Sequence, residues 1–303
     1  MNEPPWLLDT LASVREIGAR LPHALLIHGP RGWGEERIAN AVALDLMELE
    51  PGRDARAVAH PDLRWLQPEN GVIKVDSIRG IVEFLVQTPQ AAPRKIAVIE
   101  DADRMNPNAA NALLKSLEEP PPDSFIALST SAPERLLPTV RSRCQQIRVR
   151  RGGDDEVRAW LGAAGVDPEK AGYWAVEYGG APFAIASAAE RGQAPLWDSL
   201  EKASRSPAAA RAAGDGLRDA DLVDLLERWL RIVHWLVRQA KVPVRGLVLD
   251  FATEILNVRR AALVNTGLNR AMQLQRLLLL WAELWRHASI SHLPKATFLM
   301  SSP

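Results

Sequence analysis

A glycine-rich loop at residues 29–36 is the segment whose residue types come closest to phosphate chemistry. Gly29 and Gly34 keep the G-x-x-x-x-G frame, directly after an aliphatic run. A working loop continues with Lys, which holds phosphate, and Ser or Thr, which ligates Mg²⁺, whereas this chain has Glu35 and Glu36. A carboxylate about 4 Å from a phosphate oxygen is repelled by roughly 4 kcal/mol at an effective dielectric near 20. The loop therefore predicts a site that neither holds a triphosphate tightly nor hydrolyses it.

Composition excludes several other classes of protein. The 303 residues contain 37 basic and 37 acidic side chains and are 47% hydrophobic, which predicts two or three domains with buried cores. A chain that grips nucleic acid over its whole surface is normally basic, so non-specific binding is disfavoured. Cys144 is the only cysteine, which excludes a disulfide framework and a four-thiolate zinc site and fits a reducing cytosol.

No segment of this sequence predicts membrane insertion or export. The start lacks a basic stretch followed by an apolar core, so no signal peptide is expected. The longest apolar run, residues 277–282, is far shorter than the roughly 20 residues of a membrane span. We expect a cytoplasmic protein without a membrane association.

Short aliphatic runs alternate with helical patterns in the first half of the chain. This alternation predicts an α/β domain with a mostly parallel sheet covered by helices on both faces. The predicted strands are Ala24–His28, Asp62–Leu66, Lys95–Ile99, Phe125–Ser129 and Gln146–Val149. The predicted helices are Glu35–Leu49, Ser77–Gln87 and Asn108–Glu118, the last capped by Asn106.

Beyond residue 151 the strand signal stops and helices follow. A small helical unit at 152–192 precedes a longer all-helical unit at 196–303. Two stretches of the longer unit carry Leu and Trp at helical spacing, which predicts packing faces rather than ligand sites. These residues are Leu222, Leu225, Leu226, Trp229, Ile232, Val233 and Leu236, then Leu274, Leu277, Leu278, Trp281, Leu284 and Trp285.

Four segments in order resemble one known family. They are the degenerate loop at 29–36, the stretch at 95–105, the helix Asn-Ala-Ala-Asn-Ala-Leu-Leu-Lys-Ser-Leu-Glu-Glu-Pro at 108–120, and Leu-Pro-Thr-Val-Arg-Ser-Arg-Cys at 137–144. Together they closely resemble the delta-prime family of subunits in the AAA+ clamp loader of bacterial DNA polymerase III. The last two segments are very specific for clamp-loader subunits, and a weaker resemblance extends through the helical half.

The resemblance implies an architecture and a set of partners. Residues 1–150 would form a RecA-like AAA+ domain, 152–192 a helical lid, and 196–303 a helical collar that joins subunits into a hetero-oligomeric arc. The implied partners are gamma/tau and delta subunits and, through the complex, the sliding clamp and primed DNA. The polypeptide would belong to a holoenzyme with DNA-directed DNA polymerase activity without itself polymerising nucleotides.

Within this family the resemblance implies further losses of phosphate chemistry. Glu100-Asp101 stands at the Walker B position, where active relatives have Asp-Glu to support Mg²⁺ and polarise water. The reversed order gives both carboxylates the wrong length, so we interpret them as part of a local hydrogen-bond network. The lid segment at 179–184 resembles a motif that carries a phosphate-sensing Arg, but it has none, and the nearest one downstream is Arg191. We expect no cofactor of its own, with ATP and Mg²⁺ bound by the neighbouring subunit.

Ser142-Arg143-Cys144 matches the family motif in full. The resemblance implies that Arg143 is an arginine finger acting on a neighbour's ATP, because guanidinium is always charged and presents a planar fork to phosphate oxygens. From spacing alone, Arg143 could instead be one of a solvated basic group, which could also touch the DNA backbone. That group contains Arg135, Arg141, Arg148, Arg150 and Arg151. Cys144 is interpreted as a small buried anchor rather than a nucleophile.

Most family members carry a four-cysteine zinc module between the first helix and the second strand. The corresponding segment, residues 48–60, contains no cysteine, so we expect no metal site and interpret His60 as structural. Two other functions remain open. One is an ATP-hydrolysing motor like gamma/tau with an unusual loop, and the other is a degenerate AAA+ scaffold in recombination or repair.

Overall fold

A computed structural model describes residues 3–17, 22–69, 71–238, 245–264 and 267–287. It forms two compact units, Met1–Glu156 and Val157–Pro303. Within the described ranges, no helix combines the length and the apolar character needed to span a bilayer.

The first unit contains a five-stranded, wholly parallel sheet. Its strand order is β2-β3-β4-β1-β5. The strands are β1 (Ala24–His28), β2 (Leu63–Leu66), β3 (Lys95–Ile99), β4 (Ser124–Thr130) and β5 (Gln145–Arg148). The helices are α1 (Pro5–Ile17), α2 (Glu35–Leu46), α3 (Val75–Leu85), α4 (Pro107–Glu118) and α5 (Pro138–Arg141). The predicted fold class is confirmed, and each predicted strand agrees within two residues.

Burial explains why the first half reads as aliphatic runs. Every residue of β3 and β4 is buried, because helices cover both faces of a parallel sheet. Asn106 caps α4 by accepting a hydrogen bond from the Ala109 amide, as predicted. Helix α2 ends at Leu46 instead of Leu49, and Glu48 adopts a left-handed φ of 55° that a helix does not accommodate.

The parallel sheet brings two candidate segments to one edge. Strand β4 lies between β1 and β3, with Leu26 opposite Leu128 and Val98 opposite Ala127. The loop after β1 and the Glu100-Asp101 pair after β3 therefore both lie at the carboxyl ends of the strands. Ligands of open α/β sheets bind at this edge.

Within its described residues, the second unit consists of helices joined by turns and contains no strand. Its helices are α6 (Asp154–Ala163, which begins in the first unit), α7 (Pro168–Glu177), α8 (Pro182–Glu190), α9 (Leu196–Ser204), α10 (Pro207–Gly216), α11 (Leu222–Arg238), α12 (Arg245–Val264) and α13 (Arg270–His287). The predicted Leu and Trp faces of α11 and α13 are buried in one core, where the Trp229 and Trp281 rings meet edge to face at 5.7 Å. Both the predicted lid and the predicted collar lie almost entirely in this unit, and their separation into two domains stays a prediction. The collar prediction also includes residues 239–244, 265–266 and 288–303, which lie outside the described residues.

Candidate functional site

The glycine-rich loop packs against other segments of the first unit, namely those that contain Trp6 and Val149. Trp33 is buried, and its carbonyl oxygen accepts a hydrogen bond of 3.1 Å from the Trp6 indole N–H. A Cβ added to Gly29 would lie 2.8 Å from the Cβ of Val149, so only glycine fits there without a shift of the neighbouring backbone. Gly34 precedes α2 with φ of 108°, a left-handed value that favours glycine. The frame therefore serves the packing of this loop whether or not phosphate binds.

Glu35 folds back onto the loop that contains it. Its side chain is buried, and Oε1 accepts a hydrogen bond of 3.3 Å from the Gly32 amide. Burial raises the pKa of Glu35, while the loop amides, including those of Trp33 and Gly34, oppose this rise. Amides at the start of a helix commonly bind anions. In this chain a carboxylate of the protein already lies against them, and its Oε2 is buried without a hydrogen-bond partner in the described structure.

Arg56 lies beside the carboxylates of Glu36 and Glu100. Its Nη1 is 3.9 Å from Oε2 of Glu36 and 3.6 Å from Oε2 of Glu100. Oε2 of Glu100 also accepts hydrogen bonds of 2.9 Å from Trp65 Nε1 and Gln67 Nε2, which agrees with the expected local network. Desolvation, together with the charges of Glu100 and Glu35, raises the pKa of Glu36 to about 7.

Asp101 completes this carboxylate cluster. It is half-buried and adopts a left-handed backbone, with φ of 47° and ψ of 48°. Burial raises its pKa, and the charge of Arg31 opposes that rise. No group of three or more His, Cys, Asp or Glu residues among the described residues has an arrangement that could hold a metal ion. The four predicted carboxylates thus lie near one another, with Arg56 beside Glu36 and Glu100 and with the charge of Arg31 acting on Asp101.

Arg143 lies between buried residues, and its guanidinium is partly exposed at the surface. It follows α5, where Val140 is fully buried, and precedes Cys144, which is buried in the same core. The Arg143 side chain is 35% exposed, and its Nη2 lies 2.6 Å from Oε1 of Glu118. Nη1 donates a hydrogen bond of 2.9 Å to the Thr139 carbonyl and is 3.5 Å from Ser142 Oγ. The guanidinium is therefore neither sealed inside the fold nor unrestrained.

Burial raises the pKa of the Cys144 thiol to about 11. A thiol with so high a pKa is almost fully protonated near neutral pH and is a poor nucleophile. This agrees with the interpretation of Cys144 as an anchor.

The neighbouring arginines are not a uniform solvated group. Arg150 forms ion pairs with Asp9 at 3.2 Å and Glu156 at 3.1 Å, and Arg151 lies over the Trp33 ring at 5.9 Å. Desolvation, then the charges of Arg148 and Arg141, lower the pKa of His28. Two members of the group, Arg150 and Arg151, thus have partners within the first unit.

The remaining predicted positions have local roles. His60 Nδ1 accepts a hydrogen bond of 3.0 Å from the Asp62 amide, consistent with a structural histidine. In the second unit, Gly179 and Gly180 both have positive φ in the turn between α7 and α8. Arg191 is exposed and donates a hydrogen bond of 2.6 Å to Ser187 Oγ.

Sequence reasoning missed Arg56 and Glu118. Each is one charge among many in the sequence: Arg56 lies 20 residues from Glu36 and 44 from Glu100, and Glu118 lies 25 residues from Arg143. Only the packing of the segments around them identifies either residue. The charge of the carboxylate cluster was the one signal in the sequence that called for a nearby cation such as Arg56.

Comparisons with known proteins show similarity to subunits of DNA polymerase III. A family model described as DNA polymerase III, delta subunit, matches residues 10–152. DNA polymerase III subunit delta-prime of Pseudomonas aeruginosa is 40% identical over 164 residues, which cover 49% of this chain and 50% of that protein. The Escherichia coli subunit delta-prime is 28% identical over 316 residues, which cover 91% of this chain and 94% of that protein. The tau subunit of Salmonella typhimurium is 28% identical over 51% of this chain and 26% of its own length.

The aligned region spans about half the length of the first curated relatives that the chain matches. A crystal structure of a DNA polymerase III gamma subunit-related protein from Thermotoga maritima supports the fold. It has a TM-score of 0.57 at 21% identity and covers 92% of this chain and all of that one. The family model and the delta-prime relatives together show that the chain is similar to DNA polymerase III subunits, most of all to subunits named delta-prime, as its sequence motifs predict.

Proposed function

We propose that this chain is a non-hydrolysing clamp-loader subunit that supplies Arg143 to the ATP site of a neighbouring gamma/tau subunit. It acts in the cytoplasm with gamma/tau and delta, in a hetero-oligomer that places the sliding clamp on primed DNA during replication. One contrast carries the proposal. The chain's own loop contains carboxylates, whereas Arg143 presents a guanidinium at the surface on a buried base.

The loop supports the first half of the proposal through charge. A triphosphate entering it would meet Glu35 at the position of the phosphate-binding Lys and Glu36 at the position of the Mg²⁺ ligand. Glu35 also lies against the loop amides that phosphate would need. Arg56 lies beside Glu36 and Glu100, so a guanidinium of the protein balances part of their charge. These residues do not fit Mg²⁺ and a nucleotide, and ATP and Mg²⁺ are assigned to the neighbouring subunit.

Arg143 supports the second half. A finger must remain charged, reach past its own surface and return to the same place in each cycle. Guanidinium meets the first requirement at any physiological pH. The partial exposure of Arg143 meets the second, and the burial of Val140 and Cys144 on either side meets the third. Removal of a finger costs about 10³–10⁵ in turnover in enzymes that use one.

The direct test replaces Arg143 in a reconstituted loader of this chain with gamma/tau and delta subunits. With sliding clamp and primed DNA present, Arg143→Ala should assemble normally by gel filtration. It should remove the stimulated ATP turnover of the site that receives the finger, measured as phosphate release. Arg79→Ala is the matched control, because Arg79 is an exposed, ion-paired arginine on α3. Undiminished turnover with Arg143→Ala would overturn the proposal.

A second test uses the purified chain alone. We expect no measurable ATPase activity and no binding of Mg·ATP at micromolar concentration. Turnover near one per second would favour the gamma/tau-like motor. Failure to co-purify with gamma/tau and delta would favour a scaffold that works without the sliding clamp. The variant Glu35→Lys with Glu36→Thr is the positive control, since it restores the residue types that a phosphate-binding loop uses.

A further inference from the structure

We propose that Glu118 is a positioning residue for Arg143, holding the guanidinium in the orientation from which it meets the neighbour's phosphates. This inference rests on the proposed function. It adds a residue that acts through the finger and does not itself touch the nucleotide.

The guanidinium is held at both ends by different elements. Nη2 pairs with Oε1 of Glu118 at 2.6 Å, and Nη1 donates to the Thr139 carbonyl at 2.9 Å. Thr139 lies in α5, whereas Glu118 is the last residue of α4. Two anchors of this kind fix the plane of the guanidinium as well as its position, which a single contact would not.

Both anchors rest on buried structure. Leu117, directly before Glu118, is buried in the same core as Val140 and Cys144, which lie on either side of Arg143. Helix α4 begins at Pro107, directly after its cap residue Asn106, and shortly after Glu118 the chain continues into the proline run at 120–122. Proline fixes its own φ and restricts the residue before it, so the end of α4 has little freedom. Packing of the two segments, in addition to the ion pair, therefore fixes the position of the Glu118 carboxylate relative to Arg143.

These contacts leave some N–H donors of Arg143 free to bind phosphate. Arginine has five N–H donors, and Thr139, Ser142 and Glu118 engage three of them at most. The remaining donors, on a side chain that is 35% exposed, are available to a phosphate. A long side chain loses rotamer freedom when it binds, so a partner that orders it beforehand reduces that loss. Glu118 supplies this order at the surface, where the pair can still adjust as the neighbour docks.

Glu119 provides a matched control within the same segment. It has the same charge, is exposed and caps α4 one residue later. The described structure contains no ion pair of Glu119. A general change in charge at this end of the helix would affect both residues, whereas positioning of Arg143 involves Glu118 alone.

The experiment measures ATP turnover by the reconstituted loader with gamma/tau, delta, sliding clamp and primed DNA. Glu118→Gln should lower the stimulated kcat by about twofold to fivefold, the range that corresponds to one exposed ion pair. The KM for ATP should stay unchanged, because the nucleotide binds to the neighbour. Glu118→Asp should recover part of the loss, and Glu119→Gln should match the unsubstituted loader.

Combination with Arg143→Ala completes the design. On that background Glu118→Gln should have no further effect, because the residue through which it acts is gone. Three results would overturn the inference: unchanged kcat in Glu118→Gln, increased kcat, or an equal loss on the Arg143→Ala background. An increase would make Glu118 a restraint on the finger. Failure of the proposed function is recognised separately, since Arg143→Ala alone would then leave turnover unchanged.

Discussion

Two ion pairs in this chain have the same closest distance and opposite surroundings. Arg228 and Glu177, in the second unit, approach to 2.6 Å with side chains 5% and 0% exposed. Arg143 and Glu118, in the first unit, also approach to 2.6 Å, with side chains 35% and 49% exposed. Distance alone does not reveal what each pair does.

The buried pair belongs to a network within the second unit. Glu177 accepts a hydrogen bond of 2.9 Å from the Trp197 amide, and its carbonyl oxygen accepts one of 3.1 Å from Arg231. The Arg228 guanidinium lies over the Tyr178 ring at 5.0 Å. These contacts connect α7, in the predicted lid, with α9 and α11, in the predicted collar. The surroundings make this pair structural and leave the exposed pair free to change partners.

The largest loss of stability is expected when the buried ion pair of Arg228 and Glu177 is broken. Arg228→Ala leaves the Glu177 carboxylate buried without its charge partner, which typically costs about 3–5 kcal/mol. Urea unfolding followed by far-ultraviolet circular dichroism should show this loss, and hydrogen exchange should place it in α7 and α11. Arg218→Ala, in an exposed pair with Asp215, should change stability by less than about 0.5 kcal/mol. Similar stabilities for the two variants would mean that a buried ion pair contributes no more to stability than an exposed one.

A buried pair in the first unit extends the comparison to pH. Asp62 lies 3.0 Å from Lys95, with both side chains almost fully buried, and accepts hydrogen bonds from the amides of Gln90, Ala91 and Ala92. Burial opposes its ionisation, but the three amides and Lys95 outweigh burial and hold the pKa of Asp62 well below its usual range. A lowered pKa means that its contribution to stability is present above pH 4 and is lost as pH falls further.

We therefore expect Asp62→Asn to cost about 3 kcal/mol at pH 7, because Lys95 loses its buried counter-charge. The difference from the unsubstituted protein should shrink below pH 4, as measured by thermal unfolding at several pH values. Asp76→Asn, in an exposed pair with Arg79, is the control. A cost that does not change with pH would contradict the role of the Asp62 charge.

Glu36 is expected to change the pH dependence of stability by a smaller amount than Asp62 and in the opposite direction. Its pKa is raised to about 7, so the folded protein holds this proton more tightly than the unfolded chain does. Between about pH 4.5 and pH 7 this group therefore makes the protein less stable as pH rises. Its side chain is 47% exposed, and solvent screening limits the effect to below about 1 kcal/mol. Glu36→Gln should raise stability at pH 8 more than at pH 5, and the reverse order would contradict the assignment.

The smallest effect is expected on the stability of the exposed pair. Glu118→Gln should lower the free energy of unfolding by about 0.5 kcal/mol, and added salt should reduce that difference. The measurement is urea unfolding at low and high salt, with Glu119→Gln as the comparison. A loss of several kcal/mol would place this pair in the structural class with Glu177 and Arg228.

The strands and the capped helix α4 could be predicted because their signals are local. β3 and β4 are buried along their whole length and therefore appear as continuous apolar runs, and Asn106-Pro107 marks the start of α4 without reference to the rest of the chain. The carboxylates of the degenerate loop could also be named, since they occupy fixed offsets from Gly29 and Gly34.

The partners of these residues could not be predicted. Arg56 reaches Glu100 across 44 positions in the sequence, and Arg143 reaches Glu118 across 25, through the packing of separate elements. The pKa of Glu36 likewise depends on how closely β1 and β3 bring their following segments together. Such contacts depend on tertiary distance, for which the sequence carries no periodic signal.

The close approach of Gly29 to Val149 has a consequence for the interpretation of glycine-rich loops in general. A methyl group at position 29 would collide with the segment that follows β5, so the fold itself demands glycine there. A search that scores only the glycines would count such a chain among the nucleotide binders. The two positions after Gly34 are more informative, because a phosphate-binding loop requires Lys and Ser or Thr there for its chemistry rather than for its packing.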